Sequence, residues 1–114
     1  MIEVRRDGIH LDGKVVPLYS GSMHYWRVER KYWQPILAKA KEAGFRTICT
    51  YTPWSVHELS NGKFDFGEKD ERKDVGAFIQ NCKDAGLYVL LRPGPHINAE
   101  LTFFGVSGKS ALGP

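Results

Sequence analysis

The sequence has few of the groups that carry metal, redox or phosphate chemistry. Only two cysteines are present, Cys49 in a predicted strand and Cys82 in a predicted helix. A structural zinc site needs more sulfur ligands at shorter spacing, so we interpret both as buried, reduced thiols. Gly21 and Gly67 are isolated and form no phosphate-binding loop. We therefore expect no metal and no cofactor.

Long apolar runs and blocks of like charge are also missing. The formal net charge of the 114-residue chain is +3, with basic and acidic residues interspersed. This pattern does not indicate a surface for nucleic acid. The N-terminal segment MIEVRRDGIHLDG lacks the apolar core of a signal peptide, and no stretch is long enough to cross a membrane. On these grounds we expect a cytoplasmic protein that binds neither nucleic acid nor membrane.

Apolar periodicity predicts a hairpin followed by alternating strands and helices. The hairpin falls in residues 1–17, where Asp-Gly pairs separate short alternating runs. Strands are predicted at residues 18–23, 47–51 and 87–91, and the last is apolar enough to be covered on both faces. A helix is predicted at residues 29–43.

A second helix is predicted before the third strand, capped by Asp70 or Asp74 and ended by Gly86. The connection at residues 53–70 contains a turn signal at Asn61-Gly62. Alternation of this kind implies an α/β fold with parallel strands.

Residues suited to sugar binding follow each predicted strand. Ligands of parallel α/β sheets bind at the carboxyl ends of the strands. Those ends lead into residues 24–27, 51–58 and 92–100, which are rich in aromatic, amide, imidazole and carboxylate groups. Aromatic rings pack against the C–H faces of a pyranose, and the polar groups hydrogen-bond its hydroxyls. The sequence therefore predicts a carbohydrate site at this edge of the sheet.

Some of these residues have two interpretations. Glu100 follows a buried strand on a Pro-Gly turn and would contact a ligand; the alternative is an ion pair, for example with Arg92. His57 and Glu58 form either a surface pair or part of the site.

Other polar residues are better explained by structure than by chemistry. His24 and His96 lack the spacing of metal ligands, so we interpret them as hydrogen-bonded structural histidines. The cluster of Asp65, Asp70 and Asp74 is interpreted as turn, cap and solvated surface.

Segments that cover most of residues 18–105 carry a family resemblance. They read GSMHYWR at residues 21–27, TYTPW at residues 50–54, GKFDF at residues 62–66 and GLYVLLRPGPHINAE at residues 86–100. They resemble the glycoside hydrolases of family 35, the β-galactosidases. The resemblance implies a retaining hydrolase that removes terminal β-galactosyl groups and has a TIM (β/α)8 barrel.

A complete barrel needs roughly 250 residues, more than twice the 114 present. We therefore expect residues 1–114 to be an N-terminal fragment of the catalytic domain: a partial TIM barrel of about three βα units. The hairpin would occupy residues 1–17, the βαβαβ unit residues 18–105 and an unstructured tail residues 106–114.

By this resemblance, Tyr51, Asn98, the Ala99 backbone and Glu100 match the residues that hold galactose. Retaining hydrolysis also needs two carboxylates roughly 5 Å apart. In the family, both are glutamates on the fourth and seventh strands, and the first typically follows an asparagine. The chain has no Asn-Glu pair, so no catalytic residue is assigned and the chain alone is expected to be inactive.

Two alternatives stay open. The chain would be a non-catalytic carbohydrate-binding or interaction module, or part of an exo-β-glycosidase of another specificity, such as a glucosaminidase. A module must fold with the first and third strands as open edges, so we expect self-association through them or a partner that supplies the missing strands. In each case the expected partner is a β-galactoside or a related carbohydrate.

Overall fold

The computed structural model describes residues 1–17, 19–101 and 105–107. The expected start of the first strand at Leu18 and residues 108–114 of the expected tail lie outside this part. In chain order the elements are β1 (Ile2–Arg5), β2 (Gly8–Leu11), β3 (Lys14–Val15), β4 (Ser20–Ser22), α1 (Trp33–Glu42), β5 (Thr47–Thr52), α2 (Trp54–His57), β6 (Glu58–Ser60), β7 (Lys63–Phe64), α3 (Val75–Asp84) and β8 (Tyr88–Pro93). The fold is mixed α/β, as predicted. In the described ranges, no helix combines the length and apolarity needed to cross a bilayer.

The N-terminal sheet has three antiparallel strands in the order β1-β2-β3. The sequence predicts only a hairpin here, but a second Asp-Gly pair reverses the chain again. Asp12 and Gly13 have φ values of 51° and 82°, and they form the two-residue loop between Leu11 and Lys14, which pair across the turn. Positive φ at both positions suits the right-handed twist of the flanking strands.

The second sheet contains the three predicted parallel strands, in the order β4-β5-β8. The central strand, β5, pairs with a neighbour on each side, and β4 and β8 form the edges. Leu90 and Leu91 of β8 point to opposite faces and are 53% and 40% exposed. The prediction that both faces of this strand are covered is therefore wrong for the described residues.

Both predicted helices are present and lie between successive parallel strands. α1 begins later than predicted because a 3₁₀ turn precedes it at Arg30–Tyr32. Asp74 caps α3 by accepting the backbone N–H of Ala77 at 2.9 Å. Asp70 caps the preceding 3₁₀ turn by accepting the backbone N–H of Arg72 at 3.0 Å. The two predicted caps therefore serve two consecutive elements.

Aromatic side chains dominate the core between the two helices and β5. Trp33, Tyr25 and Phe78 are fully buried, and the Trp33 and Phe78 rings meet edge to face at 5.4 Å. The indole N–H of Trp33 donates to the carbonyl oxygens of Tyr25 and Val28 at 3.3 and 3.2 Å. This ties the segment that follows β4 to the start of α1.

His57 and Glu58, which follow β5, are 2% and 1% exposed, so the surface-pair interpretation is wrong. His57 Nδ1–H donates to the carbonyl oxygen of Asp65 at 2.8 Å, which leaves Nε2 to accept the Tyr25 hydroxyl at 2.6 Å. Burial lowers the pKa of His57 and keeps the ring neutral. Glu58 Oε1 accepts the backbone N–H of Gly62 at 3.2 Å.

Asp65, interpreted from sequence as solvated, is only 2% exposed. Its carboxylate accepts the backbone N–H groups of Gly67, Lys69 and Asp70 at 3.0, 3.1 and 3.0 Å. Burial alone would raise the pKa of this carboxyl, but the hydrogen bonds outweigh it and lower the pKa to about 2. Asp65 therefore organises the loop that follows β7.

Candidate functional site

A pocket of about 300 Å³ opens at the carboxyl ends of β4, β5 and β8. It is lined by His24, Arg27, Tyr51, Asn98, Ala99 and Glu100. The structure therefore brings together, around one cavity, all four residues that the sequence predicts to bind a sugar. The other two lining residues follow β4.

Tyr51 enters the pocket from the end of the central strand, β5. Its register partner on β8 is Arg92, whose Nη1 donates to the Tyr51 hydroxyl at 3.3 Å. The guanidinium carbon also lies 4.8 Å from the centre of the Tyr51 ring, within cation–π range. In the described part of the chain, Arg92 contacts Tyr51 and makes no ion pair with Glu100.

The turn that carries Asn98 and Glu100 is anchored by Ile97. The Ile97 side chain is 4% exposed and packs against Gly94. A Cβ added to Gly94 would lie only 2.9 Å from Ile97 Cγ1. The backbone N–H of Ala99 donates to the carbonyl oxygen of Ile97 at 2.9 Å, which tightens the turn. Asn98 and Glu100 are exposed on this fixed support.

His24 and Arg27 complete the wall of the pocket on the β4 side. The His24 ring stacks on the Tyr51 ring, with centres 4.5 Å apart and planes at 23°. Arg27 Nη2 donates to the carbonyl oxygen of Glu100 at 3.5 Å. The strand-end rule places both residues near the site, but the predicted binding set leaves them out because it follows the family resemblance.

The two histidines interpreted as structural differ in their surroundings. His96 is exposed, whereas His24 lines the pocket and its Nδ1 is buried without a hydrogen-bond partner among the described residues. Burial lowers the pKa of His24, and the nearby Arg27 charge lowers it further. The His24 imidazole is therefore held in its neutral form.

The described lining of the pocket offers groups that can hydrogen-bond and pack against a polar ring. Tyr51 offers a ring face, Asn98 an amide and Glu100 the one carboxylate among the described lining residues. Such a set can bind a ring that carries several hydroxyls, but a glycosidase needs two carboxylates at the scissile bond. In the described ranges, no three His, Cys, Asp or Glu side chains are grouped as metal ligands.

A second cavity, of about 390 Å³, lies at the amino ends of the parallel strands. Apolar side chains such as Ile9, Leu11 and Val89 predominate in its lining, which contains no carboxylate or imidazole among the described residues. Its described lining offers the hydroxyls of Ser20, Thr47 and Tyr88, but not the amide and carboxylate groups that the first pocket presents. We therefore place the candidate site at the carboxyl ends.

Most of the chain is similar to known glycosyl hydrolases. The family model described as "Glycosyl hydrolases family 35" matches residues 8–108. "Beta-galactosidase-1-like protein 3" of Rattus norvegicus is 45% identical over 96 residues, which cover 84% of this chain and 15% of the rat protein. "Beta-galactosidase" of Bos taurus is 44% identical over 105 residues, which cover 92% of this chain and 16% of the bovine protein.

A relative with another name matches almost as well. "Exo-beta-D-glucosaminidase" of Pyrococcus horikoshii is 40% identical over 102 residues, which cover 87% of this chain and 13% of that protein. The chain thus spans 13% to 16% of the length of these curated relatives.

Proposed function

Because the chain belongs to family 35 of the glycosyl hydrolases, we propose that it forms the opening part of a (β/α)8 catalytic barrel and supplies part of its galactose pocket. The observation that carries this proposal is the convergence of Tyr51, Asn98, Ala99 and Glu100 on one cavity. Parallel β4, β5 and β8, with helices between them, support a partial barrel of about three βα units. Residues 1–17 precede that unit and residues 106–114 follow it.

Each of the four residues has a distinct role in the proposed pocket. The Tyr51 ring packs against the apolar C–H face of the galactose ring. The Asn98 amide and the Glu100 carboxylate hydrogen-bond the sugar hydroxyls, and the backbone of Ala99 adds a main-chain group between them. These contacts orient the sugar for carboxylates that lie elsewhere in the full-length enzyme.

The direct test is galactose binding by the 114-residue chain, measured by calorimetry. Binding that is lost in Tyr51→Ala and kept in Tyr32→Ala supports the proposal. Tyr32 is a matched control because it is a half-exposed tyrosine before α1 and does not line the pocket. Failure of the folded wild-type chain to bind galactose would contradict it.

We propose that this chain alone does not cleave a β-galactoside, because the described lining of its pocket presents one carboxylate, Glu100, and retaining hydrolysis needs two. Turnover of a chromogenic β-galactoside by the purified chain is the measurement. Robust hydrolysis that disappears in Glu100→Gln would overturn both the inactivity and the binding role of Glu100.

Specificity for a glucosamine-type sugar is a second candidate, favoured by the match to the Pyrococcus protein named as a glucosaminidase. The Glu100 carboxylate would form an ion pair with an amino sugar but only a hydrogen bond with a hydroxyl. Under this candidate, glucosamine binds more tightly than galactose, and Glu100→Gln removes the preference. If wild type and Glu100→Gln prefer glucosamine over galactose to the same degree, the glucosamine-type specificity is excluded.

A non-catalytic binding or interaction module is a third candidate, favoured by the open edges of the parallel sheet. Among the strands that the structure describes, β4 and β8 each pair on one side only, and Leu90 and Leu91 on β8 are exposed. A partner strand or a second copy of the chain would cover this edge. Sedimentation that shows self-association, reduced in Leu91→Lys, supports this candidate; a monomer at all concentrations counts against it.

A further inference from the structure

Tyr51 lies between side chains from both neighbouring strands. On one side of β5, Arg92 of β8 holds the Tyr51 hydroxyl at 3.3 Å. On the other side, His24 follows β4 and its imidazole stacks on the Tyr51 ring at 4.5 Å. The position of the Tyr51 ring is therefore constrained by its face as well as by its hydroxyl.

His24 is itself fixed by a row of rings that leads back to the core. Its imidazole lies 4.7 Å from the Trp26 ring, and Trp26 meets Tyr25 edge to face at 5.3 Å. Tyr25 is fully buried. The contacts from Tyr25 through Trp26 and His24 to Tyr51 thus connect the rigid interior with the pocket.

We propose that His24 is a positioning residue for Tyr51, holding its ring in the orientation that packs on a sugar. The proposal rests on the proposed sugar site and adds a residue to it. A stacked aromatic pair contributes binding energy indirectly, because a ring that is already ordered loses less conformational freedom when the ligand binds. A binding group must be held by its surroundings, and the His24 ring supplies that support.

The proposed support comes from the flat ring of His24 rather than from its nitrogens, because Nδ1 is buried without a hydrogen-bond partner among the described residues. A flat apolar ring at this position should therefore support Tyr51 equally well. His24→Phe keeps a flat ring against Tyr51 and removes the unpaired atom. His24→Leu keeps an apolar side chain but removes the ring.

The first measurement is the galactose dissociation constant of the 114-residue chain and its variants by calorimetry. His24→Leu is expected to bind roughly three- to tenfold more weakly, the effect of losing one aromatic pair. His24→Phe is expected to stay within about twofold of wild type, because its ring restores the stack. Tyr19→Leu is the control: Tyr19 stacks on Phe45 at 4.7 Å, at the other end of β4.

The second measurement reports on Tyr51 without any sugar. Carbon-13 relaxation of a selectively labelled Tyr51 ring is expected to show a rigid ring in wild type and His24→Phe, and a mobile ring in His24→Leu. Thermal unfolding of each variant establishes that it is folded. Because this readout needs no ligand, it separates the positioning role from the sugar site.

The outcomes are distinguishable. A rigid Tyr51 ring in a wild-type chain that does not bind galactose contradicts the proposed function and leaves the positioning role standing. A Tyr51 ring that is equally rigid in His24→Leu and wild type overturns the positioning role. Equal loss of affinity in His24→Leu and Tyr19→Leu also overturns it, because the effect then comes from general destabilisation.

Discussion

Replacing Tyr25 with phenylalanine tests the buried hydrogen bond that joins the core to the segment after β5. The Tyr25 hydroxyl donates to His57 Nε2 at 2.6 Å, and His57 Nδ1–H is committed to the carbonyl oxygen of Asp65 at 2.8 Å. The imidazole cannot change tautomer without losing that second bond. Tyr25→Phe therefore leaves Nε2 buried as an acceptor without a donor.

Leaving a buried acceptor without its partner costs about 1–3 kcal/mol, so the free energy of unfolding should fall by about that amount. Urea unfolding followed by tryptophan fluorescence measures it. Tyr32→Phe is the matched control, since Tyr32 is 49% exposed and its substitution should change stability by less than about 0.5 kcal/mol. A Tyr25→Phe variant as stable as this control would refute the reasoning.

The pH dependence of folding stability supplies a second test of Tyr25. Burial raises the pKa of Tyr25 from 10.0 to about 12. The unfolded chain therefore loses this proton first as the pH rises, and the stability that Tyr25 contributes is present below pH 10 and is lost toward pH 12. In Tyr25→Phe, this loss of stability between pH 10 and pH 12 should be missing. If the free energy of unfolding of the variant falls over that range as it does in wild type, Tyr25 is not its cause.

Three further predictions concern stability and reactivity. The pKa of Asp65 is lowered from 3.8 to about 2, so its stabilising contribution is present above pH 3.8 and is lost as the pH falls through 2. In Asp65→Asn, the free energy of unfolding should therefore depend less on pH in this range. Gly67→Ala should lower the melting temperature, because Gly67 has φ +114° and a Cβ there would lie 2.7 Å from the Asp74 Cβ; an unchanged melting temperature would contradict this. Burial raises the pKa of the Cys82 thiol to about 12, so a thiol reagent at pH 8 should modify half-buried Cys49 well before Cys82 in the native chain; equal rates would contradict the burial.

Local sequence patterns predict the parallel sheet and its helices well. Strand β5 has a β-branched run, and Asp70 and Asp74 have the side chains that cap helical turns. Trp33 lies within the helix predicted at residues 29–43 and is fully buried. These features depend on residues close together in the chain, and this is why the sequence alone reveals them.

Contacts between distant segments are where prediction from sequence fails. His57 has two interpretations in the sequence and Asp65 is interpreted as solvated, but both are buried, and Tyr25 reaches His57 across 32 positions. Such contacts are decided by packing of the whole fold rather than by local preference.

The candidate site is predictable in part. Tyr51 and Glu100 follow from the strand-end rule together with the family resemblance, and both line the pocket. The stacking of His24 on Tyr51 depends on the order β4-β5-β8, which the sequence does not fix. The contact of Arg92 with Tyr51 also depends on the sheet pairing, because it requires Arg92 of β8 to lie in register with Tyr51 of β5.

The most direct test of the sugar site is a crystal structure of the chain soaked with galactose. We expect the sugar in the pocket, with a C–H face against the Tyr51 ring and its hydroxyls on Asn98 and Glu100. Galactose bound only in the apolar cavity at the amino ends of the strands, or Tyr51 and Glu100 turned away from a common cavity, would contradict the account.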